Sequence, residues 1–195
     1  MKKLILNCLI AASVVLAVSC NSNKSQGNAD STQTADSTTS ASSTAAATDS
    51  TANTPDSAFA NKAALGGLME VQLGKLAQQK GASAAVVQFG TMMVNDHTMA
   101  AAMLDSIATS KKVALPKTLD DKFQQDYDKF AKTDKKSFDK TYIDYMVKDH
   151  KEDIEEYKKE AEKGKDAEFK AFAGKHVPIL QKHLQKAQEI QKTLK

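Results

Sequence analysis

The chain has no arginine and no tryptophan; all 27 of its basic residues are lysine. Bidentate recognition of phosphate and guanine leans on the guanidinium fork, so its absence argues against a nucleic-acid partner. Aromatics make up only 6% of the chain, and most fall on core-facing positions, which leaves no stacking platform for single strands. The two cysteines, Cys8 and Cys20, both lie within the first twenty residues, so the rest of the chain can form no internal disulfide. There is no Gly-x-Ser-x-Gly motif and no phosphate-cradling glycine loop, which leaves nucleophilic catalysis without its parts. Prolines number three and glycines eight, so few breakers interrupt the chain. Acidic residues total 24 and the net charge is +3, a balance that makes the lysine-rich surface a solvated one.

What is present begins with a leader. Lys2 and Lys3 precede a largely apolar run, Leu4 to Val18, too short for a membrane span, and residues 1–19 are expected to be a secretory signal peptide. The run ends in Leu16-Ala-Val-Ser-Cys20, which resembles the lipobox of bacterial lipoproteins and implies lipidation at Cys20. Residues 20–56 are Ser, Thr, Ala, Asn and Asp without an aromatic or large aliphatic side chain. Such a segment buries too little apolar surface to offset its ordering entropy, so a disordered tether is expected, reaching on the order of 35 Å.

Residues 57–195 form one domain of ordinary size, rich in Ala, Leu, Lys, Glu and Gln, a composition that favours helix throughout. The first long helix is expected from a cap at Asp56 or Ser57 to Lys80, with Gly81 past its end. The second runs from Ser83 to about Lys111. A short helix follows from about Thr118 to Lys132. The third long helix runs from Ser137 to Lys163, and the fourth from Asp166 nearly to the C-terminus. Two tight hairpins joined by a longer connection suit an all-α, four-helix bundle of the crossover type. Pro178 lies inside the last helix, where it cannot donate to the Gly174 carbonyl, and a kink is expected there.

One phrase occurs twice. Phe89-Gly-Thr-Met-Met-Val-Asn-Asp-His97 returns as Tyr142-Ile-Asp-Tyr-Met-Val-Lys-Asp-His150, an aromatic residue eight positions before the histidine of Met-Val-x-Asp-His. In each copy the histidine occupies a place on the 3-4 stripe where an apolar residue is expected. The second helix reads Val86, Phe89, Met93, His97, Ala100, Leu104; the third reads Ile143, Met146, His150, Ile154, Tyr157. The fourth reads Phe169, Phe172, His176, Leu180, His183, Ala187, Ile190, and the first reads Gly66, Glu70, Leu73, Ala77. Each long helix thus carries one ionisable residue near the middle of its buried face: Glu70, His97, His150 and His183. The duplication suggests a two-fold-related site inside the bundle.

Buried polar groups cost about 1–3 kcal/mol when unpaired, so four at one level must satisfy one another or a metal. Three imidazoles and a carboxylate make a first shell suited to zinc, copper or iron. Asp96 and Asp149, each one residue before a histidine, are placed to orient a neighbouring ring or to add a ligand, and His176 is a further member at uncertain depth. The plain alternative is a metal-free polar layer.

These residues also carry a resemblance. Glu70-Val-Gln-Leu-Gly-Lys-Leu-Ala77, Phe89 to His97, Phe138 to His150, and Pro178-Ile-Leu-Gln-Lys-His183-Leu are similar to the bacterial family known as domain of unknown function 4142, often labelled an outer-membrane protein. The resemblance covers about residues 57–193 and implies a ferritin-like fold. Ferritin-like di-iron enzymes use Glu-x-x-His pairs, whereas Val94, Val147 and Leu180 stand three residues before His97, His150 and His183. A mononuclear, histidine-rich site is therefore expected rather than a carboxylate-bridged pair.

Three functions follow as expectations. The first is an envelope lipoprotein, anchored through Cys20 to the outer membrane and facing the periplasm, that binds a transition metal for handling or stress protection. The second is a metal-free module that binds an envelope protein. The third, weaker, is a redox enzyme at the same site; binding is favoured over turnover. Oligomeric state is left open.

Overall fold

A computed structural model describes residues 54–194. The expected signal peptide, the lipidation site Cys20, the tether up to residue 53 and Lys195 lie outside the described residues. Within them the fold is all-helical: α1 Pro55–Lys80, α2 Ala84–Ser110, α3 Asp121–Lys132, α4 Lys135–Lys163 and α5 Ala167–Gln191. No helix among these residues is long and apolar enough to cross a membrane.

Three helix starts lie earlier or later than the sequence suggests. Thr54 caps α1 in a capping box with Ser57, and Pro55 takes the first helical position, where its missing N–H costs nothing. Residues 54–56, assigned to the tether, thus open the first helix. Asp134, not Ser137, caps α4, accepting from the backbone N–H groups of Lys136 and Ser137. Asp120, not Thr118, caps α3. Asp166 caps α5 as expected, and α5 runs unbroken through Pro178.

α1 packs on α2 and α4 on α5, and the two hairpins meet through α2 against α5 and α1 against α4. Gly74 and Gly90 allow the first hairpin to close. A Cβ on Gly74 would lie 2.7 Å from the Gly90 carbonyl oxygen, and one on Gly90 would lie 2.7 Å from the Gly74 oxygen. Any larger residue at either position would push the two backbones apart.

Each hairpin also grips the turn of the other. Asp56, buried at the start of α1, accepts from the N–H groups of Lys165 at 3.0 Å and Asp166 at 2.7 Å in the α4–α5 turn. Asp139, buried near the start of α4, accepts from Ala82 at 3.0 Å and Ser83 at 2.7 Å in the α1–α2 turn. Asp56 and Gly81 in the first hairpin therefore answer to Asp139 and Gly164 in the second, 83 positions on in both cases. In that register His97 answers to Leu180 and His150 to Gly67. The repeated Met-Val-x-Asp-His phrase lies on α2 and α4, which are not counterparts, so the expected two-fold relation between its histidines does not hold.

The core has two apolar halves. One gathers Met69, Leu73, Phe89, Met93, Phe138, Tyr142 and Met146; the other gathers Phe59, Leu104, Ile154, Tyr157, Phe169 and Phe172. Along α2, α4 and α5, the residues between the halves are His97, His150 and His183. A polar layer therefore splits the core.

Candidate metal centre

Four helices deliver one side chain each to that layer: Glu70 from α1, His97 from α2, His150 from α4 and His183 from α5. All four are buried, Glu70 and His150 to 1% exposure or less. The imidazole centroids of His97, His150 and His183 lie 5.3 to 5.9 Å apart. One ring nitrogen from each falls within 4.8 Å of the other two. The structure brings the three imidazoles together, and Glu70 joins them through His97 and His150.

The partners of each ring decide which nitrogens are free. His150 Nδ1 lies 3.1 Å from the Met146 carbonyl oxygen, which only accepts, so Nδ1 carries the proton and Nε2 a lone pair. His183 Nε2 lies 2.8 Å from Asp96 Oδ2, so it donates and Nδ1 is left with a lone pair. Those two lone-pair nitrogens, His150 Nε2 and His183 Nδ1, face each other at 3.3 Å. His97 Nδ1 pairs with Glu70 Oε2 at 2.8 Å, and its buried Nε2 has no partner. Glu70 Oε1 lies 3.4 Å from His150 Nε2, out of line for a hydrogen bond, and is likewise without a partner.

Burial sets the protonation of this layer. It pulls His97 down to about 4, although Asp149 and Asp96 pull the other way. It also lowers His150, with His97 and His183 adding to the effect, and lowers His183 against the pull of its bond to Asp96. Burial raises Glu70 well above the usual carboxylate range. The rings are thus neutral near pH 7, the form that binds metals.

The other expected members divide. Asp96 orients His183, as its bond shows. Asp149 offers an oxygen within 4.8 Å of ligand atoms on Glu70 and His150, and burial raises its carboxyl, with Glu70 adding to the shift. His176 is not brought into the layer; its Nδ1 donates to the Phe172 carbonyl at 2.7 Å and its ring packs on Phe172. Sequence reasoning missed Asp153, one turn beyond Asp149 and raised chiefly by burial, and Tyr142, whose buried hydroxyl has no partner. The i, i+4 spacing of Asp149 and Asp153 was the available signal for the first.

A family model described as Domain of unknown function (DUF4142) matches residues 40–190. No curated protein and no solved structure matches the chain.

Proposed function

We propose, from the premise that this chain belongs to the DUF4142 family, that it is a metal-binding protein of the cell envelope. A transition metal would be held by Glu70, His97, His150 and His183 in a ferritin-like four-helix bundle. The observation that carries this reading is the approach of His150 Nε2 and His183 Nδ1 to 3.3 Å, while Met146 and Asp96 hold the proton of each ring on its far side. Two neutral acceptors so placed repel unless a cation lies between them. A shared proton is disfavoured, because burial lowers both rings. Two nitrogens on a tetrahedral zinc, at about 2.0–2.1 Å from the metal, stand about 3.3–3.4 Å apart. The unpartnered His97 Nε2 would be a third donor, and Glu70 Oε1, 3.4 Å from His150 Nε2, a fourth that moves in to join the three rings.

Three imidazoles and one carboxylate suit zinc, copper or iron. With three imidazoles converging and a carboxylate beside them, the arrangement favours holding an ion over turning over a substrate, since catalytic zinc keeps an open position. The fold supports the reading in its paired hairpins, α1–α2 and α4–α5, joined by a connection that carries α3. Anchoring through Cys20 at the end of a tether would place the domain at a membrane surface, for metal handling or stress protection in the envelope.

Elemental analysis of the protein purified without an affinity histidine tag tests this, beside a His97→Ala, His150→Ala variant. About one equivalent of zinc, copper or iron in the parent and none in the variant is the expected result. If the parent stays empty after exposure to all three metals, the layer is a metal-free polar device that sets helix register, and an envelope protein partner becomes the reading to pursue.

A further inference from the structure

α2 carries a second stripe, one residue out of phase with its core stripe. Met93, His97, Ala100 and Leu104 point inward, while Met92, Asp96, Met99 and Met103 follow the same 4-3-4 spacing beside them. A solvated helix face would be charged or polar there; this one has three thioethers and a single carboxylate. The stripe lines an open groove between α2 and α5, opposite Lys175, His176, Ile179, Lys182 and His183.

Packing accounts for part of the stripe only. Met92 and Met103 are half-buried against the two apolar halves of the core. Met99 belongs to neither and is 59% exposed, the one large exposed apolar side chain among the described residues. The sulfur of Met103 is turned outward and already receives a cation: Lys175 Nζ donates to it at 3.6 Å. His176, which the buried layer leaves out, spends its Nδ1 proton on the Phe172 carbonyl. In the neutral ring its Nε2 therefore keeps a lone pair, and His176, though buried, is among the residues that line the groove. Burial lowers this imidazole below its ordinary value, so the lone pair is present at neutral pH.

We propose that the groove between α2 and α5 is a second, open metal site that takes a soft monovalent cation, Cu(I), through the thioethers of Met99 and Met103 and the Nε2 of His176. Thioether donors favour Cu(I) over zinc, which takes thiolate, imidazole and carboxylate. The site is separate from the buried layer and does not depend on it. Its floor nevertheless meets that layer through Asp96, which holds His183. Binding changes no oxidation state: the ion enters as Cu(I), displaces the Lys175 ammonium from sulfur and leaves as Cu(I).

The test titrates the full chain, with Cys8→Ser and Cys20→Ser in parent and variant alike so that no thiolate takes the ion, with Cu(I) kept reduced by ascorbate without oxygen, against a chromogenic Cu(I) chelator. The parent is compared with Met99→Leu, Met103→Leu, which keeps the apolar surface and nearly the volume but removes both sulfurs. Expected are a loss of one Cu(I) equivalent, or at least tenfold weaker binding, with zinc content unchanged, and sulfur neighbours around copper by X-ray absorption in the parent only. Equal Cu(I) binding by parent and leucine variant, or a copper shell of nitrogen and oxygen alone, would overturn the proposal. Met99→Leu alone, at an exposed position, serves if the double variant does not fold; it too must weaken Cu(I). The His97→Ala, His150→Ala variant separates the two sites: loss of zinc there with Cu(I) retained leaves the groove standing, whatever becomes of the buried layer.

Discussion

His150 Nε2 and His183 Nδ1 stand 3.3 Å apart across the interface of α4 and α5, each with its proton committed to the far side of its ring. Met146 and Asp96 thus fix both tautomers from outside, and the pair faces inward as two acceptors. Outer partners of this kind hold a ring for a metal ahead of its arrival.

Asp96→Asn removes the charge that keeps the His183 proton on Nε2. Zinc affinity should fall about 10- to 100-fold, measured by competition with a chelator, while the helical content of the protein is retained. Unchanged affinity would mean that His183 is oriented by packing alone.

Asp56 and Glu160 meet at the end of the helices where α1 begins. Burial, followed by Asp56, raises Glu160 to about 7. Between its ordinary 4.5 and 7 the folded protein keeps a proton that the unfolded chain has already released. The linkage therefore lowers stability as pH rises through that window, and the loss is complete above 7. Glu160→Gln should gain on the order of 1 kcal/mol at pH 8, a figure reduced for solvent screening, and nothing at pH 4. Urea unfolding at the two pH values checks it; a gain equal at both would refute the shift.

Gly74→Ala presses a methyl group onto the Gly90 carbonyl, an overpacking expected to cost about 1–3 kcal/mol. Gly66→Ala and Gly67→Ala meet nothing within 4 Å and should stabilise α1 by about 0.5–1 kcal/mol each. Thermal melts of the three variants distinguish contact from helix propensity, because propensity alone would make all three stabilising.

Asp139→Ala leaves the N–H groups of Ala82 and Ser83 without their acceptor. A loss of about 2–3 kcal/mol is expected, as for hydrogen bonds to a buried charge. Hydrogen exchange should quicken first at the α1–α2 turn. Asp139→Asn keeps one acceptor oxygen and should lose less.

Helix content, the approximate extents of the long helices and the inward faces were legible in the sequence, because 3-4 periodicity, capping residues and scarce breakers act locally. The same periodicity singled out Glu70, His97, His150 and His183, since an ionisable residue on an apolar stripe needs no tertiary knowledge to be noticed. Caps were misplaced where several side chains compete: Asp134 and Ser137 both offer oxygen, and only the path of the chain entering α4 selects the aspartate.

Other features had no local signature. Asp56 and Asp139 each act across more than fifty residues, so nothing beside them in sequence marks them. The repeated phrase drew attention to His97 and His150 yet suggested the wrong kinship, because sequence similarity does not report which helix stands in which hairpin. The sequence by itself determined that the chain makes long amphipathic helices, each with one ionisable residue near the middle of its buried face. Only the tertiary structure decided that those residues meet, which ring nitrogens keep lone pairs, and that α2 turns a row of methionines toward α5. Those matters depend on distances between helices, and such distances are set by the packing of side chains far apart along the chain.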